Sequence, residues 1–170
     1  GSVLRNYCVD CHTFYDEKFI LEYYKKHYPQ LKPNASQIPW ALDDGDGDLL
    51  PIMQSDIQLK KENTILIIDA KYYSRTTQMR FDKYTIHSNN LYQIFTYVKN
   101  CEYQFDKSKC KVSGMLLYAK TDEQIQPDNI YQIYGNQISV RTLDLNKPFD
   151  EIEDQLDFIV LFHFGKVQKK

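Results

Sequence analysis

Three charged residues stand where packing alone gives no reason for them. Asp56 follows the stretch Pro51-Ile52-Met53-Gln54-Ser55, and Asp69 and Lys71 end the run Ile65-Leu66-Ile67-Ile68-Asp69-Ala70-Lys71. Charged side chains are rarely buried unless they are paired or bound to a metal. Two carboxylates and an ammonium converging at a strand end can hold a divalent cation and ready a water for attack on phosphate. The carboxylates set the kind of ion, because hard cations such as Mg2+ take oxygen ligands. The competing structural reading is a strand-end Asp–Lys ion pair beside a solvated Asp56.

Residues 51–59 and 64–70 read as two strands rich in Ile and Leu, separated by a polar stretch. An antiparallel hairpin with a loop from Lys61 to Thr64 makes 60 face 65 and 59 face 66. Asp56 then falls directly across from Asp69. Opposed Cβ atoms lie roughly 4.5–5.5 Å apart, so two like charges there repel unless a cation joins them. Lys71, two residues on, projects from the face of Asp69, while Ile57, Leu59, Leu66, Ile68 and Ala70 share the other face and suit a core. A slip of one residue separates the carboxylates.

The remaining elements frame this hairpin. Tyr15–Tyr28 reads as an amphipathic helix with Phe19, Tyr23 and His27 at spacing four, ended by Pro29 and Pro33. The acids of Asp43-Asp44-Gly45-Asp46-Gly47-Asp48 alternate as in a calcium loop. Leu49 at the required glycine and Ser55 at the bidentate glutamate break that match, which leaves an exposed acidic turn. Residues 74–90 are polar and expected as loop. A helix from about Ser88 to Lys99 carries Leu91, Ile94, Phe95 and Val98, and Val112–Tyr118 reads as a buried strand. Asn129–Tyr134 and Gln137–Leu143 form a hairpin about Gly135-Asn136. Pro148 to about Phe164 is a helix with Phe149, Ile152, Leu156, Ile159 and Val160 facing inward. The pattern is α/β: one domain over residues 1–170, a central mixed sheet flanked by helices.

Composition narrows the class. At 170 residues and 42% hydrophobic content the chain is long and apolar enough for one core. A net charge of −2 argues against gripping nucleic acid by bulk electrostatics, so contact with a polyanion needs a local patch or a partner. Lys71 to Lys83, with Arg75 and Arg80, is the local candidate. No apolar run approaches the roughly 20 residues that span a bilayer, and no signal peptide is visible, so a cytoplasmic address without membrane contact is expected. Gly1-Ser2 reads as a cloning remnant and the chain as a domain of a longer subunit. Cys8-Val9-Asp10-Cys11-His12 has the look of a haem-attachment string or half a zinc site. Cys101 and Cys110 are too widely spaced to complete the latter, so unligated thiols are expected. His12, His27, His87 and His163 show neither triad nor metal spacing.

Asp56 followed by Asp69-Ala70-Lys71 resembles the paired acid and (D/E)-x-K of the PD-(D/E)XK nuclease superfamily, with Pro51 the nearest proline. Gln93-Ile94-Phe95-Thr96-Tyr97 resembles its Q-x-x-x-Y element. Leu50–Ile57, Ile67–Tyr73, Leu116-Leu117-Tyr118, Thr142–Leu145 and Glu17-Lys18-Phe19-Ile20 are similar to McrC-type nuclease subunits of McrBC 5-methylcytosine restriction systems, a resemblance from about Glu17 onward. It implies a restriction-endonuclease-like fold and Mg2+-dependent cleavage of double-stranded DNA, with Mn2+ as substitute. Asp56, Asp69 and the Ala70 carbonyl would be metal ligands, and Lys71 the group that orients water or stabilises charge. Glu17, in competition with Glu22, would be a further carboxylate, Gln93 a catalytic partner and Tyr97 a backbone contact. By this resemblance the partner would be a McrB-like AAA+ GTPase, and nucleotide hydrolysis would fall to it, since the chain shows no G-x-x-x-x-G-K-[ST]. Dimers or paired complexes would supply the second cut. Asp69→Ala or Lys71→Ala is predicted to abolish cleavage with the fold intact. A RecB-like repair nuclease and a non-catalytic DNA-binding scaffold of the same fold are the rival readings.

Overall fold

The strand predicted over 64–70 runs from Thr64 to Lys71, and its six residues from Ile65 to Ala70 are all buried. Such a continuous apolar run is what a strand covered on both faces requires. Burying each of its Ile and Leu side chains contributes about 1.5–3 kcal/mol. The computed structural model of this chain describes residues 9–73, 77–80, 83–105 and 109–170. In chain order the elements are α1 (Val9–His27), a 3-10 turn (Pro29–Leu31), β1 (Gln37–Ile38), β2 (Met53–Gln54), β3 (Ile57–Lys61), β4 (Thr64–Lys71), β5 (Thr77–Arg80), β6 (Lys83–Ile86), α2 (Ser88–Tyr103), β7 (Lys111–Ala119), β8 (Asn129–Ile133), β9 (Asn136–Leu143) and α3 (Phe149–Phe164).

The five-stranded sheet has the order β3-β4-β7-β9-β8. β4, β7 and β9 run parallel, with β3 and β8 antiparallel at the two edges. Leu66 and Ile68 face a cluster with Ile57, Leu59, Ile20, Tyr24, Leu156 and Val160, so α1 and α3 cover that side. Ile65 and Ile67 join Ile94, Val98, Leu116 and Val140 beneath α2 on the other. The result is a mixed α/β arrangement of helix, sheet and helix layers, as the pattern predicted. No described helix is long and apolar enough to cross a membrane.

The β3–β4 hairpin has the expected register: Ile57 pairs with Ile68 and Leu59 with Leu66. The loop is tighter than expected, since Lys61 and Thr64 also pair and leave a two-residue turn, with Glu62 at φ 50°. The single strand expected over 51–59 is instead broken at Ser55-Asp56. β2 pairs with β1, away from the main sheet, and the Ser55 amide donates to the Ser36 carbonyl at 3.0 Å. The loop expected over 74–90 contains the antiparallel ribbon β5–β6 and the start of α2. Its residues are mostly polar, and the apolar Met79, Tyr84 and Ile86 are too few and too interrupted to announce the pairing.

The β8–β9 turn lies at Tyr134-Gly135, one residue earlier than expected, with φ 49° and 84°. The reason is Asn136, whose buried amide donates to the Val112 carbonyl at 3.0 Å and to Glu102 at 2.9 Å and so belongs to the strand. Phe149, expected inward, is 56% exposed at the first turn of α3, whereas Ile152, Leu156, Ile159 and Val160 are buried as expected.

Candidate active site

The break between β2 and β3 is what places Asp56. Freed from a regular ladder position, its Oδ2 accepts a hydrogen bond from the Ala70 amide at 2.8 Å, so a carboxylate takes the place of a backbone carbonyl across the end of β4. Asp69, one residue earlier on that strand, is only 3% exposed. Lys71 Nζ stands 2.8 Å from Asp69 Oδ2. The contact is close enough for an ion pair but off the hydrogen-bond direction, and that oxygen is buried with no hydrogen-bond partner. Burial, then the neighbouring Asp69 and more weakly Glu17, pushes the Asp56 carboxyl up to about 8, against the opposing pull of the Ala70 amide. Burial works against the Lys71 ammonium, yet Asp69 beside it holds its pKa above the ordinary lysine value. The amine is therefore charged, and can donate protons in hydrogen bonds but cannot serve as a base.

These features fit a divalent cation. Two acids this close do not both ionise without a counter-charge, and Asp69 offers a buried oxygen with a lone pair unspent. Among the described residues no three His, Cys, Asp or Glu side chains gather at ligand spacing. Glu17, on α1, acts on Asp56 through its charge. Two acids and the Ala70 carbonyl are the ligand set available. Glu22, the competing helix glutamate, pairs with Lys25 at 2.8 Å on the surface. Asp56 is not the solvated acid of the bland alternative, although the Asp69–Lys71 ion pair of that alternative is present.

α2 supplies the other wall. Lys71 Nζ donates to Gln93 Oε1 at 3.1 Å, and Gln93 Nε2 donates to the Tyr97 hydroxyl at 2.9 Å one turn on. Tyr97 itself is 8% exposed, so little of its ring faces outward. Arg80 lies on the β5–β6 ribbon, outside the five-stranded sheet, and Arg75 lies outside the described residues. The acidic turn is exposed, with Asp44 and Asp46 accepting from backbone amides two residues ahead. Cys101 and Cys110 are free thiols, and Cys8 lies outside the described residues.

A second network escaped the sequence reading. Asn90, 6% exposed, donates to the Tyr118 hydroxyl at 2.9 Å and accepts from the Tyr73 hydroxyl at 3.2 Å. Tyr118 pairs with Lys71 in the parallel β4–β7 ladder. The three side chains therefore tie the first turn of α2 to the strand ends that carry the acids and the lysine. Only the position of Asn90, three residues before Gln93 on one helix face, could have signalled this.

Two comparisons bear on this arrangement. The family model described as McrBC 5-methylcytosine restriction system component matches residues 17–119, more than half the chain and the part that holds Asp56, Asp69, Lys71 and Gln93. The Type IV methyl-directed restriction enzyme EcoKMcrBC of Escherichia coli (strain K12) is 28% identical over 143 residues, which cover 82% of this chain and 40% of that relative.

Proposed function

The chain belongs to the family of McrBC 5-methylcytosine restriction system components, and from that premise we propose that it is the DNA-cleaving domain of such a system. In this reading it is a Mg2+-dependent endonuclease with a PD-(D/E)XK site, and Mn2+ substitutes. The observation that carries the reading is the pairing of Asp56 and Asp69, with one buried oxygen unspent, beside a charged Lys71.

Asp56, Asp69 and the Ala70 carbonyl would hold the ion, which supplies an acidified water and offsets charge on the phosphate when bound. The Ala70 amide fixes the Asp56 carboxylate before any ligand arrives, so little reorganisation is needed. Lys71, a permanent cation, donates toward the attacking water or a phosphate oxygen and stabilises the charge that develops there. Gln93 holds the Lys71 side chain at the strand end, and Tyr97 holds Gln93. Glu17 adds negative potential that favours a cation over a proton on Asp56. Arg75, Arg80 and Tyr97 are the proposed DNA contacts.

Recognition of the modified base and nucleotide hydrolysis fall to a McrB-like AAA+ GTPase, and dimers or paired complexes deliver the second cut. The setting is the cytoplasm, where the partner and its GTP are available. The test is incubation of the chain with methylated plasmid and Mg2+, with and without motor and GTP. Cleavage that requires the motor and falls at least a hundredfold in Asp69→Asn is the expected result. Cleavage without the motor favours a repair-type nuclease. Full activity in Asp69→Asn removes the site, and absence of cleavage under every condition leaves a scaffold.

A further inference from the structure

Beside the acids lies a groove of about 580 Å³ of which the reaction just described uses only Gln93 and Tyr97. One wall is α2, presenting Tyr92 and Gln93; the other is the arm around β1 and β2, presenting Trp40, Pro51 and Ile52. None of the side chains lining it carries a charge. The Trp40 indole N–H donates to the Pro51 carbonyl at 2.7 Å, which fixes the ring in its plane, and the Ala41 amide donates to Asn100 Oδ1 at 2.8 Å, which pins the arm to α2. Tyr92 is 66% and Ile52 75% exposed, a large outlay of apolar surface at one place. Gln93 belongs to both sites: it lines the groove and accepts the hydrogen bond of Lys71.

From this continuity we propose that the groove takes an unstacked nucleobase next to the phosphate being cut. This rests on the phosphodiester-cleavage reading and adds what that reading leaves open, namely how the strand beside the bond is held. A wall of aromatic faces with amide side chains at its edge suits a base, which has a π-face and hydrogen-bonding edges. The absence of acids keeps it open to a polyanion. The absence of lysine and arginine leaves a phosphate no counter-charge there, which favours the base over the backbone as occupant. A strand whose phosphate sits at Asp56, Asp69 and Lys71 passes Gln93 and enters the groove directly.

Trp40 is the one tryptophan of the chain, so its emission reports the groove without a label. The experiment titrates the protein in EDTA with a duplex carrying one bulged nucleotide, and with the same duplex bulged at an abasic site. The bulged base should quench Trp40 and bind about tenfold more tightly than the abasic control, within the range expected for one stacked base. Tyr92→Ala, at a surface position, should erase that difference. Equal affinity with unchanged emission overturns the proposal, as does quenching of Trp40 by a motor subunit in the absence of DNA. Base-dependent quenching by a chain that cuts nothing under any condition keeps the groove as a base site and discards the cleavage reading. Cutting without base-dependent quenching does the reverse.

Discussion

Asp56 and Asp69 repel one another across the end of β4, and this repulsion dictates how each behaves on substitution. In Asp56→Asn the amide oxygen can still accept from the Ala70 N–H, while the cost of holding at neutral pH an acid whose pKa is raised to about 8, and which is ionised in the unfolded chain, disappears. Metal-free Asp56→Asn is therefore expected to melt higher than the parent by about 2–4 °C, the equivalent of roughly 1 kcal/mol in a chain of this size. Mg2+ should raise the melting temperature of the parent and leave that of the variant unmoved. Thermal melts in EDTA and in Mg2+ read both, and a variant that melts lower in EDTA contradicts the repulsion. For Lys71→Ala the ion pair adds a stability cost to the expected loss of cleavage. Its partner Asp69 is buried, so truncating the lysine leaves an uncompensated carboxylate and a loss of about 1–3 kcal/mol, below the cost of a fully buried pair because Lys71 is partly exposed. Urea midpoints of Lys71→Ala and the milder Asp69→Asn should separate these costs from the loss of activity.

At the scale of elements, the distance between α2 and the sheet decides whether Gln93 reaches Lys71. That distance is set at Gly114 on β7, where an added Cβ would stand 2.7 Å from Val98 Cγ2 and 2.8 Å from Ile94 Cγ1. Both neighbours are fully buried and cannot swing away. Gly114→Ala is expected to cost about 1–3 kcal/mol through overpacking. It should also lower cleavage more than the stability change explains, because α2 must lift and carry Gln93 away from the lysine. Activity measured well below the melting point, together with a urea midpoint, tests this; an unaltered rate shows that the helix does not set the lysine. The split between β2 and β3 works in the same way. A continuous strand would have used the Ala70 amide in a backbone ladder and left Asp56 without its anchor.

Across the whole molecule, the far end of α3 carries a titration remote from the acids. Burial, aided by Arg141 and Lys111, pushes the His163 imidazole down to about 4, and its Nε2 has no hydrogen-bond partner. The folded pKa is below the unfolded value of about 6.5, so the unfolded chain binds the extra proton. The neutral ring's advantage is complete above pH 6.5 and is lost as pH falls toward 4, up to about 3 kcal/mol. Asp56 shifts with the opposite sign in the metal-free chain, so the useful quantity is the difference between the parent and His163→Leu. That difference should move in favour of the variant between pH 7 and pH 4.5 in urea titrations, and a constant difference rejects the shift. Asp144 and Asp157, held below the usual carboxylate range, lose their contributions at lower pH still.

The same range of scales separates what could be read from residues alone from what required the fold. Alternation in β3 and an assumed hairpin loop gave a register, 57 with 68 and 59 with 66, that the fold adopts with a tighter turn. With that register assumed, Asp56 falls opposite Asp69 with Lys71 on the same face; in the fold Asp56 stands outside the ladder, held by the Ala70 amide. The polar β5–β6 ribbon, the break at Ser55, the outward Phe149 and the Asn90–Tyr118–Tyr73 network left no such trace. The ribbon is a local hairpin with too few apolar residues to show an alternation, and the others depend on partners distant in sequence; a polar side chain carries no sign of whether its hydrogen bonds go to water or to the protein. The chain by itself determined which residues could do chemistry and on which strand face they stand. Only tertiary packing decided how deeply they are buried, which carboxylate oxygen faces the lysine, and that Trp40 and Tyr92, from two separate segments, line one groove beside them.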